Sequence, residues 1–303
     1  MGAQLRAVRA RIRAVKSIGK ITRAQELIAS SRIIRAQQRM RAAGPYAREL
    51  TQAVEALVSR SSSITHPMIT EPENISRAAL LILTSDGGFC GAYNANVLRE
   101  ASRLRQRSNE AGIETVNYVT GRKGLAWHRF RDIEMAGEWS GFSVQPSYAD
   151  AEKVATAVLE EFEKSSAGGG VDEIYLVSTE FVSMLTQRPA VRRLLPMLIE
   201  EKEGERPGGA LPSYEFEPST DVVLDALLPQ YIASRIYYAM LEAAASELAA
   251  RRRAMKAATD NANDLLDRLT REANNARQSE ITQEISEIVG GANALAEAHA
   301  GRE

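Results

Sequence analysis

The segment TSDGGFCGAYN, Thr84 to Asn94, holds the residues best placed for chemistry. It follows an apolar run of strand length beginning at Ala78 and opens a polar-apolar helical pattern reaching about Asn109. A strand, then glycines, then a helix N-terminus gathers free backbone amides and the helix dipole at one spot, an arrangement suited to phosphate. The spacing Gly87, Gly88, Gly91 is neither GxGxxG nor a P-loop, and no Lys-Ser or Lys-Thr follows it. The plainer reading is a tight strand-to-helix turn capped by Asp86 or Asn94. Cys90 is the single cysteine, which excludes an internal disulfide, and His66, His128 and His299 lie too scattered for metal-ligand spacing. No nucleophile elbow and no histidine-carboxylate cluster stands out. The residues therefore predict no catalytic site, no metal and no cofactor, and they point to a mechanical or scaffolding role.

The elements that carry this loop form a small α/β domain. Strands are expected at Ala78 onward, Glu114–Thr120, Ile133–Glu138 and Glu173–Glu180, with helices from Arg122 and over Tyr148–Glu163. Val191–Ile199 reads as an edge strand, and 204–212 as a loop leaving the domain. Strands alternating with helices imply a mainly parallel, Rossmann-like sheet.

Both ends of the chain read as long helices. Gln230 to Val289 contains neither glycine nor proline, and an unbroken helix over it would be roughly 90 Å long. Tyr238, Leu241, Ala245, Leu248, Met255, Ala262, Leu266, Leu269, Ala273 and Ala276 step by three and four, the seam spacing of a coiled coil, although Arg252 and Thr259 interrupt it. Past Arg277 the phase slips, and Ile281, Ile285, Ile288, Ala292 and Leu295 begin a second stripe. At the other end Leu5, Val8, Ile12 and Val15 repeat the spacing, and helix-compatible sequence runs to about Ser59. The Gly44-Pro45 pair predicts a kink or break near Ala43. The fold expected is a small α/β domain plus a long antiparallel coiled coil. Its parts are 1–60 and 220–303 as paired helices, 77–200 as the central domain and 201–219 as a connecting foot loop.

Charge is uneven along the chain. Residues 1–48 carry twelve Lys or Arg against the one acid Glu26, so this stretch is +11 within a chain whose total is −1. Such a helix suits nucleic acid, a membrane surface or an acidic protein. It has no aromatic residue before Tyr46 and its cations lie on several faces, which argues against nucleic acid. A nucleotide-binding enzyme with a coiled-coil arm and a nucleic-acid-binding coiled coil both stay open on the residues alone. No stretch approaches the length of apolar sequence that spans a bilayer. The Arg-rich start resembles a transit peptide, but its heptad-like pattern runs on without a cleavage-like boundary and reads as mature sequence.

Four strings resemble the signature blocks of the gamma subunit of F-type ATP synthase, of bacterial type: KITRAQELIASSR (Lys20–Arg32), TSDGGFCGAYN, SELAARRRAMKAATDNA (Ser246–Ala262) and ITQEISEIVGGANAL (Ile281–Leu295). They stand in the family's order over essentially the whole chain. Phe89 departs from the leucine usual in the family.

The resemblance implies a central rotor shaft with no chemistry of its own. Paired helices turn inside a ring of alternating alpha and beta subunits, with a foot on the c-ring beside the epsilon subunit, coupling proton flow to ATP synthesis on beta. It further implies that Gln25, Arg32, Arg35, Arg251, Lys256, Arg277, Gln278, Thr282 and Glu284 contact the alpha/beta ring. Tyr214, Phe216, Glu217 and Pro218 would contact the c-ring and epsilon. The expected address is peripheral, on the cytoplasmic side of a bacterial plasma membrane. With Cys90 alone, the cysteine-pair redox switch carried by inserts in other members is not expected.

Overall fold

The computed structural model describes residues 3–60, 66–164, 166–197 and 220–300. The foot loop 201–219, with Tyr214, Phe216, Glu217 and Pro218, lies outside the described residues. The chain divides into two compact units, Ala29–Arg252 on the one hand and Met1–Ile28 with Arg253–Glu303 on the other.

In the larger unit, β1 (Arg77–Leu83), β2 (Glu114–Thr120), β3 (Gly137–Trp139), β4 (Glu173–Phe181) and β5 (Gln187–Leu195) form one sheet of order β3-β2-β1-β4-β5. All neighbours are parallel except β4 and β5. Every residue of β1 after Arg77 is buried, as befits a central strand covered on both faces. The two-residue side-chain period divides its contacts. Leu80 and Ile82 pack on Val97, Leu98 and Ala101 of α2 (Tyr93–Glu110) and on Leu125 of α3 (Arg122–Phe130). Ala79, Leu81 and Leu83 belong to the opposite core, with Val154 and Val158 of α4 (Tyr148–Glu163) and with Leu228 and Ile232 of α5 (Thr220–Ala300).

The start of α4 is fixed by a capping box. The Ser147 N–H donates to Asp150 Oδ2 at 2.9 Å, while the Asp150 N–H donates to Ser147 Oγ at 3.2 Å.

Three expectations are corrected. Of the kink or break expected near Ala43, the break is absent: α1 (Ala3–Arg60) continues through Pro45, which costs the Arg41 carbonyl its helical donor without ending the helix. The strand expected at Ile133–Glu138 pairs only from Gly137. Asp132 adopts a positive φ of 51° and the Ile133 N–H closes α3 on the His128 carbonyl at 3.0 Å, so those residues turn the chain first. The edge strand begins at Gln187 rather than Val191 and ends at Leu195, because Ser183 builds the preceding turn. Its N–H reaches Thr186 O at 2.9 Å and its hydroxyl accepts from the Leu185 and Thr186 N–H groups.

In the smaller unit the α1 and α5 segments run antiparallel. A Cβ on Gly19 would sit 3.5 Å from Ala262 Cβ, and three residues on, Thr22 Oγ1 meets Thr259 Oγ1 at 2.8 Å. Leu5, Val8, Met255, Ala262 and Leu269 are buried in this unit. Thr259, an interruption of the apolar seam in sequence, is thus half of a polar pair. Carrying that register outward places Ala3, where α1 begins, opposite Gln278. No α1 residue from Ala3 onward therefore faces the second stripe, and Ile281, Ile285 and Ile288 are 46%, 56% and 71% exposed.

Gly121 has φ +91°, and a Cβ there would lie 2.3 Å from the Thr84 carbonyl oxygen. Gly121→Ala is expected to destabilise the larger unit by about 3 kcal/mol through combined backbone strain and overpacking, read as a lower urea midpoint for the sheet signal. An unchanged midpoint would contradict this.

Candidate functional site

The glycine-rich loop after β1 is organised by its own polar side chains. The Ser85 N–H donates to Asn94 Oδ1 at 2.9 Å, Asn94 Nδ2 donates to Ser85 Oγ at 2.8 Å, and Ser85 Oγ donates to the Gly87 carbonyl at 2.7 Å. Neither expected cap serves α2: its N-cap is Ala92, without a side-chain hydrogen bond, and Asn94 is turned back onto Ser85. Asp86 instead accepts from the Arg122 N–H at the start of α3, at 3.1 Å, and from the N–H groups of Gly141 and Ser143 at 2.9 and 3.0 Å. Burial pushes its carboxyl up, but these donors and the Arg122 guanidinium outweigh it and hold Asp86 below its ordinary value.

The space a phosphate would need is taken by α5. Arg251 Nε donates to the Gly88 carbonyl at 3.1 Å, and Arg251 Nη2 pairs with Glu247 Oε1 at 2.6 Å. A Cβ on Gly87 would come within 2.8 Å of Arg251 Nη2, so the glycine is what admits the guanidinium. The loop presents a carbonyl, that of Gly88, to a cation of its own chain, the reverse of an anion cradle. Cys90 is buried beside it, and burial raises its thiol pKa, which keeps it protonated and unreactive at neutral pH.

A second anchor lies nearby on α5. Glu242 Oε2 accepts from Arg192 of β5 at 3.0 Å, and Arg192 also pairs with Glu180 of β4. Burial lowers the Arg192 pKa, yet its bonds to Glu180 and Glu242 outweigh that, and the net shift is upward. The Tyr93 hydroxyl donates to the Ala243 carbonyl at 3.3 Å and Ser246 Oγ to the Thr179 carbonyl at 3.4 Å. Glu242, Glu247 and Arg192 were not singled out in the sequence. The i,i+4 Glu247–Arg251 spacing signals an ion pair locally, whereas the partners of Arg192 are set by tertiary folding.

The expected ring-contact residues fall into two groups. Gln25, Lys256, Arg277, Gln278, Thr282 and Glu284 are exposed on the smaller unit, where Lys256 reaches Asp260 at 3.4 Å and the Thr282 hydroxyl donates to the Gln278 carbonyl at 2.9 Å. In the larger unit Arg32 and Arg35 are exposed because Ile33 and Ala36 pack on Ala245, Leu248 and Ala249. Arg251 differs from the rest, its side chain only 12% exposed and its guanidinium engaged internally. The sequence reading passed over Ile18, Ile21 and Ile28 of α1, all exposed at three- and seven-residue steps beside the seam. Among the described residues no group of His, Cys, Asp or Glu could hold a metal ion.

A family model described as ATP synthase matches residues 4–295. The chain is 55% identical to the ATP synthase gamma chain of Thermobifida fusca over 100% of both chains. It is 58% identical to that of Acidothermus cellulolyticus, over 97% of this chain and 98% of the relative. Its fold resembles a chain of the Euglena gracilis mitochondrial ATP synthase, with a TM-score of 0.69 at 17% identity over 100% of this chain and 97% of that one. A chain of the Tetrahymena thermophila mitochondrial ATP synthase central stalk and c-ring is similar with a TM-score of 0.56 at 22% identity, over 78% of this chain and 99% of that one.

Glu247 is 1% exposed, and burial raises its pKa despite the opposing charge and hydrogen bond of Arg251. Arg251→Ala leaves that carboxylate unpaired and is expected to cost about 3–5 kcal/mol. The folded state then holds the Glu247 proton more tightly than the unfolded chain does. Glu247 is already raised above 4.5 in the parent and should rise further without Arg251, so the deficit relative to the parent should be smallest in acid and grow as pH rises beyond the parent's raised value. Urea unfolding of both proteins across that range checks it, and a pH-independent difference would refute the assignment.

Proposed function

This chain belongs to the ATP synthase gamma-chain family, and we propose that it acts as the central rotor shaft, transmitting c-ring rotation to the catalytic beta subunits and performing no bond chemistry itself. The observation that carries this reading is the bare apolar stripe Ile281, Ile285, Ile288 and Val289, which the chain's own α1 leaves uncovered. Exposed apolar surface of this regularity calls for a sheath, and an apolar bearing formed by a ring of alpha and beta subunits supplies one.

The proposed mechanism is differential contact. Moving a two-state site from almost wholly open to almost wholly closed takes a preference of about 5.5 kcal/mol. Exposed ion pairs contribute ~0.2–1 kcal/mol each, so several must act together. Arg32, Arg35 and Lys256 are suited to meet acidic segments of beta, and Gln25, Arg277, Gln278, Thr282 and Glu284 to make hydrogen-bonded contacts to the ring. Arg251 fits the role better as an internal brace. Its bond to Gly88, with the Glu242–Arg192 pair, ties α5 to the sheet, so that torque on one is passed to the other. Tyr214, Phe216, Glu217 and Pro218 are proposed to reach the c-ring and epsilon. No helix among the described residues is long and apolar enough to cross a membrane. The proposal is peripheral attachment at the cytoplasmic face of the plasma membrane, through the c-ring.

Co-expression with the same organism's alpha and beta subunits, purified by a tag on beta, tests the reading. The expected result is one complex containing all three subunits, whose ATP hydrolysis depends on this chain. Alpha and beta that assemble and turn over equally well while this chain stays unbound would overturn it. Ile285→Asp with Ile288→Asp, both at exposed positions, is expected to leave helix content unchanged while lowering recovery of the complex at least several-fold. Arg32→Glu or Arg35→Glu alone should change turnover only about two- to fivefold, and the two together more than either.

A further inference from the structure

We propose that the larger unit carries a binding site for a small multivalent phosphate anion, in the groove between α1 and α5 beside Gly44. Arg41 and Arg48, two helical turns apart on α1, line this groove together with Arg235 and Tyr238 of α5, over a floor of Gly44 and Ala47. The recess has a volume of about 370 Å³, and a Cβ on Gly44 would meet nothing within 4 Å.

The arginines of this groove differ from the seven of the unit that carboxylates hold among the described residues. Arg77, Arg103, Arg122, Arg129, Arg192, Arg193 and Arg251 each pair with a carboxylate. Among the described residues Arg41, Arg48 and Arg235 form no ion pair; Arg235 lies over the Tyr231 ring at 5.9 Å and its charge acts on Glu242 from farther off. The nearby acid Glu242 is already held by Arg192 at 3.0 Å. Three guanidiniums lining one recess repel one another until an anion joins them, and their planar forks match phosphate oxygens bidentately. The Tyr238 hydroxyl adds a donor with no hydrogen-bond partner among the described residues. Burial, then the charge of Glu242, raise its pKa against the opposing Arg192 and Arg48, so it keeps its proton.

Size decides between a small anion and an acidic helix. A helix about 10 Å across displaces roughly 400 Å³ per turn, so the recess would seat less than one turn. It falls instead within the range of small-molecule sites.

Titration calorimetry of the full-length chain with sodium triphosphate at low ionic strength tests the proposal. One saturable site is expected, weakened at least about tenfold by Arg41→Gln with Arg48→Gln and about two- to fivefold by Tyr238→Phe. Arg99→Gln with Arg107→Gln, the same charge change at exposed positions of α2, should leave the affinity within about twofold, and circular dichroism confirms folding of each variant. Displacement of triphosphate by phosphatidic acid vesicles, but not by phosphatidylcholine vesicles, would assign the phosphate to a lipid headgroup; failure to displace it assigns a soluble anion. The proposal is overturned by absence of saturable binding, or by equal losses in the α1 and α2 variants. It is also overturned if a poly-glutamate peptide, and not triphosphate, binds in an Arg41- and Arg48-dependent way. None of these outcomes bears on the rotor reading, which rests on assembly with alpha and beta.

Discussion

The larger unit depends on a buried charge that cannot be left alone. Glu247 is almost fully removed from water, and an unpaired carboxylate there would cost several kcal/mol. Arg251 neutralises it one helical turn away and, with its remaining donors, reaches the backbone of a loop that follows the central strand. The glycine at position 87 exists in this light to make room for a guanidinium. Two sequence blocks far apart in the chain, one glycine-rich and one arginine-rich, are two halves of a single joint. Around it the Glu242–Arg192–Glu180 cluster and the Tyr93 hydroxyl extend the same attachment along α5.

Much of the architecture was legible because its signals are local. The helix Tyr148–Glu163 could be bounded from sequence since Ser147 and Asp150 form a self-contained cap. The alternation of apolar strands with helical segments fixed a mainly parallel sheet, and β1 announced itself by an unbroken apolar run. The misplaced elements are those decided by partners or turns. In β5 the segment QRPAVRR is polar and holds a proline, so only its pairing with β4 reveals a strand. β3 is short because the chain must first reverse after α3. Pro45 misled because local chemistry favoured a break, while burial of Leu50 and Val54 farther along α1 keeps the helix going.

The candidate site was legible in its parts and illegible in its assembly. The i,i+4 spacing of Glu247 and Arg251 is visible on inspection. The Gly88 carbonyl that completes it lies 163 residues away, and no periodicity points to it. A strand-glycine-helix pattern suggested phosphate, yet a backbone turn of that kind exposes either amides or carbonyls, and only tertiary context selects which. The exposed Ile18, Ile21 and Ile28 were hidden by the neighbouring seam, whose three- and four-residue steps leave adjacent apolar positions looking like imperfections of the same stripe.

The Thr22–Thr259 pair has a mechanical meaning. Gly19 O lies 3.1 Å from the Thr22 hydroxyl and Met255 O 2.9 Å from the Thr259 hydroxyl, so one hydroxyl donates to the carbonyl of its own helix while the other donates its single proton across the pair. An all-alanine seam could creep lengthwise by a turn and repack at little cost, since one small apolar side chain resembles the next. A matched polar pair cannot: displacement sets each hydroxyl against a hydrocarbon wall and forfeits the bond between them. The two threonines work as a spline key, which lets a pair of smooth, closely spaced helices carry axial load without losing their index.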